Sequence, residues 1–76
     1  MYNYITYNPE ILNGKPILKG TRLSVEFIME LFASGGTRDK ILESYPQVEN
    51  KMIDEVLRYA ANAVKNEINI SSNIAS

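Results

Sequence analysis

The sequence predicts a mainly α fold: a small trihelical bundle, of which the helix-turn-helix is one member, behind a short β-strand segment. Three observations carry this. Ile53, Val56, Leu57, Ala60 and Val64 recur with a helical period. Two shorter apolar stretches, each opened by a capping hydroxyl, lie on either side of Gly35-Gly36. Strand formers and turn residues are crowded together ahead of Ser24. The predicted organisation is a single domain over 1–66, with short strands and turns over 1–23 and three helices over 24–66, followed by a flexible tail over 67–76.

The elements follow in chain order. Tyr4-Ile5-Thr6-Tyr7 is an aromatic and β-branched run, expected as a strand that Asn8-Pro9 breaks. Ile11-Leu12 is expected as a loop or a single helical turn. Asn13-Gly14 marks a turn, because both residues tolerate positive φ. Pro16 to Lys19 is a second extended stretch, interrupted by Gly20. Two strands this short need helices or another chain to pack on. Ser24 caps the first helix, Glu26 sits where the macrodipole favours an anion, and Leu23 and Ile28 have the spacing of a hydrophobic staple. Thr37 caps the second helix, which Pro46 ends by pushing Tyr45 out of the α region. The third helix is expected to start near Glu49 or Asn50, with Lys51, Asp54, Glu55, Arg58 and Lys65 on its solvent faces.

Composition narrows the chemistry. The 76 residues carry eight Lys and Arg against nine Asp and Glu, a formal charge of −1, and no His, Cys or Trp. Without Cys there are no disulfides, thiolate zinc sites or Cys nucleophiles, and without His the commonest general base and metal ligand are missing. The expectation is a protein that is not an enzyme and needs no cofactor. A domain this small buries only about 60% of its unfolded surface, so a homodimer or higher oligomer is expected. No apolar run reaches the roughly 20 residues that span a bilayer, and the first residues lack the pattern of a signal peptide; a cytoplasmic location without membrane contact is the corresponding expectation.

Charge is distributed unevenly. Lys15, Lys19 and Arg22 face a single acid, Glu10, in the first 23 residues, which sum to +2, while the remainder sums to −3. A cationic arm of this kind suits phosphates or an acidic partner surface. The Gly14-Lys15 to Gly20-Thr21 stretch is no P-loop, since its Gly-Lys comes first and no Lys stands between Gly20 and Thr21. The third helix offers Asn50, Lys51 and Arg58 as groove-reading candidates, although Glu49, Asp54 and Glu55 oppose phosphates. The neighbouring carboxylates Glu26 and Glu30, and Asp54 and Glu55, read as solvated charge rather than a metal site. Ile68, Ile70 and Ile74 in the polar tail are candidate partner-binding residues, with Ile68 and Ile70 at strand spacing.

The order of motifs resembles a small prokaryotic family, domain-of-unknown-function family 433. The resemblance is carried by Asn8-Pro9, the stretch from Ile11 through Gly14-Lys15-Pro16 and Gly20-Thr21-Arg22 to Val25, then Ile41-Leu42-Glu43-Ser44-Tyr45-Pro46, and Leu57-Arg58-Tyr59-Ala60. Gly14, Pro16, Gly20, Thr21, Tyr45, Pro46 and Tyr59 are the motif residues expected to be architectural. The resemblance implies a homeodomain-like trihelical module whose β segment mediates dimerisation. It also implies an antitoxin-like component of a type II toxin–antitoxin pair. Its partners would be a PIN-like ribonuclease toxin and operator DNA; a protein-interaction module without DNA binding is the alternative.

Overall fold

A computed structural model of the chain describes residues 2–75, with side chains described through residue 65. The first strand, β1 (Ile5–Tyr7), pairs antiparallel with β2 (Pro16–Leu18) in the register Ile5 to Leu18, Thr6 to Ile17 and Tyr7 to Pro16. The Lys19 amide donates to the Tyr4 carbonyl (2.8 Å), which makes Tyr4–Lys19 and Thr6–Ile17 the hydrogen-bonded pairs. Pro16 therefore falls at a position where β2 owes β1 no N–H, and proline costs nothing there.

Between the strands the chain reverses through Asn8-Pro9-Glu10-Ile11, held by the Ile11 amide on the Asn8 carbonyl (2.9 Å) and the Glu10 amide on Asn8 Oδ1 (2.9 Å). It then passes through a left-handed turn: Leu12, Asn13 and Gly14 have φ of 50°, 57° and 81°. Asn and Gly tolerate this region; leucine does so only under strain.

After β2, the Thr21 amide donates to the Leu18 carbonyl (3.0 Å) across Gly20, whose φ is 82°. A positive φ at the third residue of such a turn is the type II requirement that glycine meets. Thr21 locks the turn from its side chain, donating to the Leu18 carbonyl (2.8 Å) and accepting from the Leu23 amide (3.0 Å). The chain then returns beside β2, with a bridge between Ile17 and Ser24.

Helix α1 (Val25–Ala33) starts where Ser24 Oγ accepts from the Phe27 amide (2.9 Å). It ends in a Schellman motif: the Gly35 amide reaches the Phe32 carbonyl (3.0 Å) and the Gly36 amide reaches Leu31 (2.9 Å). A Cβ on Gly36 would stand 2.7 Å from the Leu31 carbonyl oxygen, so the close approach as well as the turn requires glycine. Helix α2 (Arg38–Ser44) is capped by Thr37, whose Oγ1 accepts from the Lys40 amide (3.2 Å). Tyr45, before Pro46, has left the helix at φ −127° and ψ 83°.

Helix α3 spans Asn50–Ala75, past Asn66 where the sequence reading ended the helical segment. No Gly or Pro follows Pro46 to stop it. The side chains of the expected partner-binding residues Ile68, Ile70 and Ile74 lie outside the described residues.

The core lies where the sheet and three helices meet. Leu18, Val25, Ile28, Ile53 and Val56 are fully buried, with Ile5, Ile41, Val48 and Met52 around them. Leu23 and Phe27 pack on its margin. The result is a mainly α domain of three helices with a two-stranded antiparallel sheet ahead of them.

One face of α3 differs from the sequence reading. Leu57 and Val64, read as core, are 41% and 52% exposed, whereas Glu55, read as solvated, is 3% exposed. At about 100° per residue, the buried arc runs from Glu55 through Tyr59, Met52 and Val56 to Ile53. Leu57 and Val64 sit just past its edge.

Candidate partner-binding and nucleic-acid surfaces

Glu55 organises the N-terminal end of the molecule. Its carboxylate accepts from the Asn3 amide at Oε2 and the Tyr4 amide at Oε1, both at 2.8 Å. Two charge-assisted bonds replace the water lost on burial and fix the entry to β1 against α3. Arg58, expected as a nucleic-acid contact, lies 4.0 Å from Glu55 Oε2 and keeps most of its side chain in solvent.

The other cations divide in the same way. Lys15 pairs with Glu26 across the start of α1 (3.2 Å). Arg38, which the sequence reading did not single out, reaches from α2 to Asp54 Oδ1 (2.8 Å), Asn50 Oδ1 (3.2 Å) and the Asn50 carbonyl (3.3 Å). The Asn50 amide group expected to read bases thus belongs to a clamp between α2 and α3. Lys19, Arg22 and Lys51 are exposed, and among the described residues none of them makes an ion pair. The six expected nucleic-acid residues do not form one patch of free cations: Lys15, Asn50 and Arg58 are drawn into contacts within the chain.

The carboxylate pairs are dispersed as well. Glu26 faces Lys15, Asp54 faces Arg38, and Glu55 faces backbone amides. Among the described residues no group of three or more acidic side chains is placed to hold a metal ion.

Among the described residues, two concave surfaces stand beside these contacts. One, of about 280 Å³, is lined by Leu12, Arg22, Leu23, Ser24 and Phe27. Phe27 on its wall meets the Tyr45 ring edge-on at 5.6 Å. The other, of about 260 Å³, is lined by Tyr2, Tyr59, Asn62 and Ala63. There the Tyr2 and Tyr59 rings tilt against each other at 5.6 Å, and Asn62 Nδ2 donates to the Tyr2 hydroxyl (2.9 Å). The Tyr59 phenol is raised above its ordinary value by the hydrogen-bonding influence of Tyr7, then by burial, then by the charges Tyr7 and Tyr2 would carry. Exposed apolar side chains complete the surface: Tyr7, Leu12, Leu57 and Val64.

Of the expected architectural residues, Gly14 and Gly20 hold positive φ, Pro16 opens β2 and Thr21 locks the turn after it. Tyr45 and Pro46 close α2, and Tyr59 packs between Tyr2 and the core.

The family described as "Protein of unknown function (DUF433)" matches residues 5–60, from the first residue of β1 to the middle of α3. The chain belongs to the DUF433 family. A relative, the uncharacterized protein y4eO of Sinorhizobium fredii (strain NBRC 101917 / NGR234), is 32% identical over 56 residues, 74% of this chain. The chain spans about a quarter of that relative's length, the aligned part being 25% of it. No solved structure matches the chain. The DUF433 match covers the sheet, the Leu12 turn, the groove beside it and the Arg38 clamp, and it stops short of Val64. No described helix is long and apolar enough to cross a membrane.

Proposed function

We propose that this DUF433 chain is the antitoxin-like component of a type II toxin–antitoxin pair, acting as a homodimer or higher oligomer and holding a partner protein. The observation that carries the reading is the contrast between its surfaces. Of the six residues suited to nucleic acid, Lys15 pairs with Glu26 at the surface, Asn50 is held by Arg38 and Arg58 lies beside Glu55, while large apolar side chains at Leu12, Leu57 and Val64 stand uncovered. Leu57 and Val64 are seven residues apart on one edge of α3, about 10 Å along its axis, and offer a protein partner an apolar stripe. The resemblance supplies the kind of partner, a PIN-like ribonuclease.

Operator DNA is the secondary ligand in this proposal. The three-helix architecture supports it, as do the exposed cations Lys19, Arg22 and Lys51, which make no ion pair among the described residues. With so few cations the binding is weak and falls with salt.

Affinity capture of the tagged chain from a native lysate of its source, with and without nuclease, tests the proposal. The expected result is a stoichiometric small protein that survives nuclease treatment. Recovery of nucleic acid alone, or of the chain alone, overturns it.

A further inference from the structure

The groove beside α1 gathers features that folding does not account for. Its apolar walls are Leu12, Leu23 and Phe27, and Arg22 stands on its side. Leu12 is held in the left-handed region at φ 50° and yet remains 47% exposed. Its conformation is strained without the reward of burial, a combination that points to a task outside the fold. The polar groups around it are already satisfied: Ser24 Oγ accepts from Phe27, and Thr21 Oγ1 is used by Leu18 and Leu23. Arg22 alone on these walls keeps its charge unmatched among the described residues, because Glu26, the acid in the first turn of α1, faces Lys15. The volume, about 280 Å³, lies just below the range of roughly 300–1,000 Å³ for small-molecule pockets. It suits an inserted side chain better than a whole cofactor.

We propose that this groove receives an extended segment of the partner protein in which a large aliphatic side chain is followed by a carboxylate. The aliphatic group packs on Leu12, Leu23 and Phe27, and the carboxylate takes the Arg22 guanidinium. Charge complementarity selects this occupant: an apolar groove edged by an exposed guanidinium without an ion pair among the described residues repels a cationic segment and offers a neutral one no charge-assisted bond. The inference rests on the proposed partner binding and gives it a place and a chemistry. It also gives a use to motif residues otherwise only architectural, since the Thr21 lock orients Arg22 and Tyr45 supports Phe27.

The test uses the full chain labelled with ¹⁵N and three capped hexapeptides with central Leu-Glu, Leu-Lys or Ser-Glu. The expected result is saturable shifts of the Leu12, Leu23 and Phe27 amides with Leu-Glu. Loss of a charge-assisted bond or of the apolar contact should weaken the other two about tenfold or more. Arg22→Glu should reverse the preference between Leu-Glu and Leu-Lys. Leu12→Asn, which tolerates the left-handed region, should keep or raise the melting temperature while weakening Leu-Glu binding. Equal response to the three peptides, no response at millimolar peptide, or shifts elsewhere overturn the proposal. So do groove shifts produced by simple dilution of the protein, which would assign the groove to a second copy, or groove shifts produced only by duplex DNA. The two proposals fail separately. Lysate capture that persists in Arg22→Glu removes the groove and leaves partner binding standing; peptide selectivity without any captured protein does the opposite.

Discussion

Replacing Glu55 is the sharpest test of how the chain is held together. In Glu55→Gln the side chain keeps its shape but loses its charge, and one of its two acceptors becomes an NH₂ facing a backbone N–H. The wild-type bonds are both 2.8 Å, from Asn3 and Tyr4, to a side chain only 3% exposed as a residue. A hydrogen bond to a charged group contributes about 1.5–3 kcal/mol. Asn3 is exposed and Tyr4 half-buried, so water can partly recover the freed amides, and the lower end of that range applies to each. The expected loss is then about 2–4 kcal/mol. A domain of this size has a net stability of about 3–5 kcal/mol, and each kcal/mol moves the midpoint by about 4–8 °C. Glu55→Gln should therefore lower the melting temperature by roughly 10–25 °C, read by circular dichroism with a urea titration as a second measure. Arg58→Ala, which removes only an exposed cation 4.0 Å away, should change stability by less than about 1 kcal/mol. A Glu55→Gln protein within about 0.5 kcal/mol of wild type would refute the assignment of Glu55 as the anchor of the N-terminal segment.

Two further perturbations probe the turns and the tyrosines. Gly20→Ala places a Cβ where φ is 82° with open space around it, so its cost is conformational alone, about 1 kcal/mol or somewhat more; a neutral or stabilising result in urea unfolding would mean the type II turn is not required. Tyr59 binds its proton more tightly in the folded chain than at the ordinary value of 10.0. Its contribution to stability is intact below that value and is lost as pH rises through the higher folded value. Beyond the loss of one of the five phenols, Tyr7→Phe should move the most alkaline component of the tyrosine absorbance titration to lower pH, and a most alkaline component that stays in place would refute the influence of Tyr7 on Tyr59.

What the sequence disclosed about this fold was local in kind. Ser24, Thr37 and Pro46 act on backbone groups within four residues of themselves, so their effects on helix ends are written beside them. Glu55 acts on amides 51 and 52 residues away. No spacing encodes that, and amphipathic reasoning assigns a carboxylate to solvent by default. The same default pulled Leu57 and Val64 inward, because an apolar residue near the helical stripe is read as part of it. The α3 surface is shifted by little, yet the shift exchanges a charged residue for two apolar ones. Arg38 carries no signal for a related reason: its partners Asn50 and Asp54 lie on another helix, and a lone surface arginine has no periodicity. The Leu12 strain was half legible, since Asn13-Gly14 marks the turn but nothing marks leucine as its first left-handed residue.

These long-range contacts are connected, and the candidate surface depends on the connection. Glu55 on α3 fixes Asn3 and Tyr4, which sets the position at which β1 begins. The register of β1 on β2 then determines where the chain between them closes, and so where Leu12 projects. At the other end of β2, Gly20 and Thr21 turn the chain so that Arg22 and Leu23 arrive at the start of α1. The groove wall is thus assembled from both ends of a sheet only three residues long in each strand, anchored by one carboxylate. Such a sheet has little stability of its own, so the free energy that positions Leu12 and Arg22 comes from the Glu55 bonds and the burial of Leu18 and Ile5. The physical consequence is a ranking. Substitutions at Arg22 should alter partner selectivity with the fold intact, whereas substitutions at Glu55 should lose the groove and the fold together. A candidate surface built in this way owes its chemistry to the motif residues, and its geometry to a residue that the motif does not contain.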